Sequence, residues 1–214
     1  MDQAKAMDNM YRYQRYIYDF TRKYYLLGRD RLIRKMPLKA GDNVLEIGCG
    51  TARNLILLAK KHPDVQFYGL DASQEMLDTA QAKIDAKGLT GRIILKQCLA
   101  EQLDYEKTFG LDKPFDAAFF SYSLSMIPPW SDAVDTALVN VKKDGFIHIV
   151  DFSDQRGLPK WFQWVLQNWL SLFGVHYPPG LLPYFEEMEK QGKGSLDVEG
   201  LGGYYAFLAD FKVK

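Results

Sequence analysis

Val44-Leu45-Glu46-Ile47-Gly48-Cys49-Gly50-Thr51, followed downstream by Phe67-Tyr68-Gly69-Leu70-Asp71, is the stretch that decides the fold. A short apolar run ends in an acid and a Gly-x-Gly. An amphipathic segment comes next, and a second apolar run closes on Asp71. The order strand, glycine turn, helix, strand, acid is how a doubly wound α/β sheet holds an adenosine. Asp71 lies 21 residues after Gly50, and an acid about 20 residues past the turn is placed to accept ribose hydroxyls.

The turn speaks against a dinucleotide. A diphosphate-binding turn needs a third glycine, in G-x-G-x-x-G, so that the helix packs close to the pyrophosphate. Arg53 holds that position and is far too large. Glu46, just before the first glycine, would repel a diphosphate and suits a cationic ligand. S-adenosylmethionine has no phosphate and carries an ammonium and a sulfonium. The stretch resembles motif I of the class I S-adenosylmethionine-dependent methyltransferases, usually E-x-G-x-G-x-G, with Ala52 where the third glycine stands. The resemblance implies a Rossmann-like α/β fold, its sheet mostly parallel with a last antiparallel strand. It also implies S-adenosyl-L-methionine as cofactor. Two plainer readings stand beside it: a glycine turn with no ligand, and Asp71 as a helix N-cap.

With 214 residues the chain is long enough for one domain, 1–214, with a core of useful size. Its 27 basic and 27 acidic residues balance, which gives no reason to expect nucleic acid. Cys49 and Cys98 are the only cysteines, and without a CxxC pair or a His cluster no metal site or disulfide scaffold is expected. The N-terminus is polar and charged, and no apolar run reaches the roughly 18 residues of a membrane span. A cytoplasmic protein is expected.

The hydropathy pattern predicts a helix over 8–36 that ends at Pro37. Strands are predicted at Asn43–Ile47, Gln66–Leu70, Arg92–Gln97, Phe115–Ser121 and Gly145–Asp151. Helices fall between them at Arg53–Lys61, Ser73–Lys87 and Ser131–Val141, with a loop or short helix at 104–114. That alternation belongs to a parallel sheet, and Tyr204–Val213 fits a last antiparallel strand. Residues 1–36 are expected as a helical cap and 155–195 as an aromatic insert.

Ligands of such sheets bind beyond the carboxyl ends of the strands. The expected cofactor contacts are Glu46, Gly48, Cys49, Gly50, Thr51 and Asn54 after the first strand. Asp71, Ala72 and Met76 follow the second, Leu99 and Ala100 the third, and Ser121 the fourth. Met76 is placed to cover the adenine. Many methyltransferases carry Asp-Ala-Glu where this chain has Leu99-Ala100-Glu101, so backbone groups would have to meet the adenine amino group.

Tyr11, Arg15, Tyr18, Arg22, Tyr25 and Arg29 recur at alternating steps of four and three, which puts them on one helical face. A Tyr/Arg face suits a polar, partly buried site that closes over the cofactor, with Tyr18, Tyr25 or Arg29 at the methionine carboxylate. Between Tyr11 and Met36, eight basic residues stand against Asp19 and Asp30. That excess also fits contact with an anionic surface, or a solvated basic helix.

Residues 10–19 and 21–30 closely resemble the methyltransferase component of bacterial betaine-lipid synthesis, the diacylglycerylhomoserine N-methyltransferases. The resemblance extends through Leu45–Thr51, Ser121–Pro128 and Gly157–Phe162. It implies three successive methyl transfers to the amino group of a lipid-linked homoserine, giving a betaine lipid. It further implies peripheral contact with the inner membrane and a complex with the 3-amino-3-carboxypropyl transferase of the same pathway.

From Trp161 to Phe185 there is no Asp, Glu, Lys or Arg. Trp161, Trp164 and Trp169 lie here with Phe162, Leu166, Leu170 and Phe173. The segment fits an interfacial helix or the lining of a lipid-tail pocket, and equally a buried cap helix or a dimer contact. For an acceptor ammonium with a pKa of about 10, neutrality at pH 7 costs roughly 4 kcal/mol. A neighbouring base or desolvation offsets that cost. Tyr122 and Asp151 are the candidate catalytic residues. His148, on the opposite pleat from Asp151, reads better as a core histidine. A methyltransferase of a soluble amine or quinone, and a cofactor-binding assembly partner without catalysis, remain rival readings.

Overall fold

The structure is a computed structural model and describes residues 26–171 and 177–214. The expectations for Tyr18 and Tyr25, for the helix before Leu26 and for Phe173 lie outside the described residues.

Among the described residues, seven strands form one sheet in the order β3-β2-β1-β4-β5-β7-β6. They are β1 (Asn43–Ile47), β2 (Gln66–Asp71), β3 (Ile93–Gln97), β4 (Phe115–Ser121), β5 (Val141–Phe152), β6 (Gly194–Leu201) and β7 (Ala206–Val213). The first five pair in parallel. β7 runs antiparallel between β5 and β6. Phe119 and Phe120 are adjacent and both fully buried, as expected of a parallel sheet covered on both faces.

Seven α-helices are described: α1 (Arg29–Lys35), α2 (Arg53–Lys61), α3 (Gln74–Asp85), α4 (Tyr105–Phe109), α5 (Trp130–Asn140), α6 (Lys160–Ser171) and α7 (Leu181–Lys190). The alternation of β5 shows the layering. Val150 and Phe152 face a core built with α1, α2, α3 and Leu170 of α6. Ile147 and Ile149 face the opposite core, with α4, α5 and α7. The insert between β5 and β7 therefore starts on one face of the sheet and ends on the other.

The order of elements follows the sequence reading up to β5. Two features do not. Of the helix expected over 8–36, the described residues hold only α1, which begins at Arg29 after a turn at Leu27-Gly28. Gly28 has φ +84, and a Cβ there would strike Leu201. β6 was not expected at all. It alternates Leu196 and Val198 with Ser195, Asp197 and Glu199, a charged edge strand whose weak apolar signal needs β7 beside it to count.

Chain order reverses between β1 and β4, which lie side by side with connections leaving in opposite directions. Their carboxyl ends splay apart into a crevice there.

Candidate active site

A cleft open to solvent lies at the carboxyl ends of β1 to β4. Its floor is the turn between β1 and α2. The Gly48 and Cys49 N–H groups both donate to the Leu70 carbonyl at 2.9 Å, which ties the turn to β2. Gly48 has φ +76, and a Cβ on it would lie 2.6 Å from the Ser123 Cβ. Only glycine lets the β4 loop close over the turn. Ser123 Oγ seals that approach by donating to the Ile47 carbonyl at 2.8 Å. Ala52, in the third-glycine position, is buried at φ +57. The site accepts alanine at a conformational cost of roughly 1–2 kcal/mol.

Asp71 ends β2 on the cleft wall. Its Oδ2 accepts the Gly50 N–H at 2.8 Å and its Oδ1 the Ser73 N–H at 3.0 Å. The N-cap of α3 is Ser73, whose side chain accepts from the Met76 N–H, so Asp71 is not the cap. The carboxylate lines the cleft where ribose hydroxyls would reach.

Ala72, Met76, Leu99 and Ala100 form an apolar slot beside Asp71, with Cys98 and Glu101 at its margin. Ser121, Tyr122 and Ser123 line the far end, where Met126, Ile127 and Pro128 make an apolar wall. Gly48, Gly50, Asp71, Ala72, Met76, Leu99, Ala100, Ser121 and Tyr122 were expected and are brought together. Ser123 and the wall 126–128 were not singled out. Their signal was the segment 121–128, but a loop residue that packs on a glycine of another turn leaves no spacing to read.

Other expected contacts stand behind the cleft. Glu46 is buried, and Asn54 Nδ2 donates to its Oε1 at 2.6 Å, pinning α2 to β1. Thr51 and Cys49 are buried in the turn. Burial, with Asp71 and Glu46 nearby, pushes the Cys49 thiol well above the usual range. These four shape the turn. Arg29 is buried and lines a separate depression with Gly28, Arg34, Arg53 and Leu201.

Neither catalytic candidate presents a base to the cleft. The Tyr122 hydroxyl donates to the Leu27 carbonyl at 2.5 Å, anchoring the chain before α1. Burial, reinforced by Asp151 and Tyr205, drives its pKa well above the usual phenol range. Tyr122 also has φ +56, strain that its bonds to Leu27 and Val150 hold in place. Asp151 is fully buried. Its Oδ2 accepts the Ser125 N–H at 3.1 Å and its Oδ1 the Phe152 N–H at 2.8 Å. Burial raises its pKa to about 6 against those bonds. It positions the loop over the acceptor end. His148 is buried against Phe146 and pairs with Asp210 through Nδ1 at 2.6 Å, as a core histidine.

The cleft fits S-adenosylmethionine. A glycine cradle lets the ligand approach the backbone, an acid stands where ribose hydroxyls would reach, and an apolar slot suits adenine. Among the described residues, no group of three or more His, Cys, Asp or Glu could hold a metal ion. No described helix is long and apolar enough to cross a membrane.

Residues 44–145 match the family described as a methyltransferase domain. A demethylmenaquinone methyltransferase of Lactobacillus johnsonii is 34% identical over 126 residues, covering 58% of this chain and 50% of the relative. The 27-O-demethylrifamycin SV methyltransferase of Amycolatopsis mediterranei is 26% identical over 181 residues, covering 85% and 57%. The chain thus spans about half the length of these curated relatives. The solved YcgJ protein of Bacillus subtilis superposes with a TM-score of 0.67 at 16% identity, covering 87% of this chain and 98% of that one. The sheet shares the Rossmann-like fold of that structure, and the methyltransferase-domain match points to S-adenosyl-L-methionine as the ligand of the cleft.

Proposed function

We propose that this chain, built on a class I S-adenosylmethionine-dependent methyltransferase domain, methylates the amino group of a lipid-linked amino acid. The product of three transfers to diacylglycerylhomoserine would be a betaine lipid. One observation carries the lipid half of this reading. The acceptor end is walled by Met126, Ile127 and Pro128, and α6 leaves large aromatic side chains exposed. A soluble, charged acceptor has no use for either surface. The resemblance of residues 10–30 and 121–128 to the betaine-lipid enzymes supports the amine.

The bound cofactor would supply an electrophilic methyl group on a sulfonium. The glycine turn and Asp71 hold its nucleoside, and the loop pinned by Asp151 shapes the acceptor end. No base is needed in contact with the amine. The apolar wall desolvates an ammonium and lowers its pKa, offsetting part of the roughly 4 kcal/mol that neutrality costs. Alignment of the amine with the sulfonium in the cleft would supply the remaining rate.

A second reading has its own support. Identity of 34% to a demethylmenaquinone methyltransferase favours carbon methylation of a quinol, another acceptor with an apolar tail. Mass spectrometry of a lipid extract incubated with the protein and S-adenosylmethionine separates the two. Increments of one, two and three methyl groups on one amino-lipid class support the proposal. A single increment confined to the quinone fraction supports the second reading. Methylation only of water-soluble amines refutes both.

A further inference from the structure

We propose that the exposed face of α6, together with the arginine-rich rim at α1, is a docking surface for an anionic phospholipid bilayer. The proposal goes beyond the reaction, since it concerns a different surface and predicts binding whatever the acceptor is.

α6 turns Leu166 and Leu170 into the core. On its outer side Trp161 is 70% exposed and Trp164 69%, and Phe162, Val165 and Trp169 are exposed as well. The steps 161, 164, 165 and 169 follow one helical stripe. Gln163, Gln167 and Asn168 interleave polar amides with it. Tryptophan beside amides is the chemistry of the headgroup layer, where an apolar ring sits in acyl chains and its N–H meets water or carbonyls.

Charge chooses the occupant. No acidic residue occurs between Trp161 and Phe185. The turn between β6 and β7 joins this helix to the arginine rim. On one flank the Gly157 N–H donates to the Gly203 carbonyl at 3.0 Å, at the approach to α6. On the other, Leu27 lies against Gly202, and Leu201 packs over Gly28 at the start of α1. Arg29, Arg31, Arg34 and Arg53 surround the depression at that point; Asp30 pairs with Arg53 and Glu199 of β6 with Arg31, so the rim keeps a net positive charge. An aromatic stripe free of acids beside a cationic rim is complementary to a leaflet containing anionic lipid. The rings of Tyr122, Phe152 and Tyr205 follow one another at 4.7 and 5.7 Å. These rings are buried and link the cleft wall to the same turn through the core.

Flotation of the full chain with vesicles of phosphatidylcholine and phosphatidylglycerol tests the surface. The chain should float with them, and far less with phosphatidylcholine alone. Trp161→Glu with Trp164→Glu should lower partition by roughly tenfold or more, with cofactor affinity and far-UV circular dichroism unchanged. Arg34→Gln should lower it roughly fivefold. If the double variant misfolds, Trp161→Gln with Trp164→Gln should show the same ordering. No flotation with either vesicle overturns the proposal. So does partition that both tryptophan pairs leave unchanged. A dimer that these substitutions dissociate, in a chain that binds no vesicle, assigns the face to self-association instead.

Discussion

Replacing Asp151 by Asn should remove a pH dependence of stability built in beneath the acceptor loop. Asp151 is fully buried and accepts the Ser125 and Phe152 N–H groups, and burial raises its pKa from the ordinary 3.8 to about 6. Below pH 4 both the folded and the unfolded chain carry the proton. Between pH 4 and 6 the folded chain keeps it while the unfolded chain releases it. Stability from this group is therefore greatest below pH 4, falls as pH rises through 6, and is then constant. A tenfold change in proton affinity is worth about 1.4 kcal/mol, so the full loss is about 3 kcal/mol. Asparagine does not titrate. Its carbonyl keeps one of the two N–H donors and its amide faces the other, a pH-independent cost of about 1–3 kcal/mol. Urea unfolding of both proteins at pH 4, 5, 6 and 7 and one ionic strength measures the difference. The stability of the parent minus that of the variant should fall by about 2.4 kcal/mol from pH 4 to 7, the rest of the loss lying below pH 4. A flat difference, or one that rises with pH, refutes the assignment of burial as the dominant influence on Asp151.

Gly48→Ala places a side chain at φ +76 and against the Ser123 Cβ. Isothermal titration calorimetry should show cofactor affinity lowered by about tenfold or more, and unchanged affinity would remove the turn from the site. Tyr122→Phe deprives the Leu27 carbonyl of its donor and should cost about 1–3 kcal/mol of stability. Its kcat should stay within about tenfold of the parent, because a hydroxyl acting as base would be worth about 10²–10⁴.

The cofactor half of the site was legible because it is local. Strand, glycine turn and acid sit within Val44–Asp71, and backbone sterics alone demand glycine at φ +76 and a small residue at Ala52. The acceptor half was not. Tyr122 and Asp151 lie in register for catalysis on a linear reading, at the carboxyl ends of β4 and β5. Their partners are Leu27, 95 residues from Tyr122, and Ser125, 26 residues from Asp151. Glu46 is expected at the cofactor from its charge, which the sequence shows, while the bond that Asn54 makes back to it across the turn is not visible there.

The sequence by itself determined the alternation of elements, the adenosine-type turn and the aromatic insert, since each follows from periodicity or from one residue's conformational range. The tertiary structure alone decided that the chain turns at Leu27-Gly28 before α1, that β6 lies beside β7, and that the Tyr122 hydroxyl and the Asp151 carboxylate bond Leu27 and Ser125. Each of those depends on which distant group fills the space beside a side chain. Burial and hydrogen-bond partners are properties of the packed neighbourhood, and no local pattern carries them.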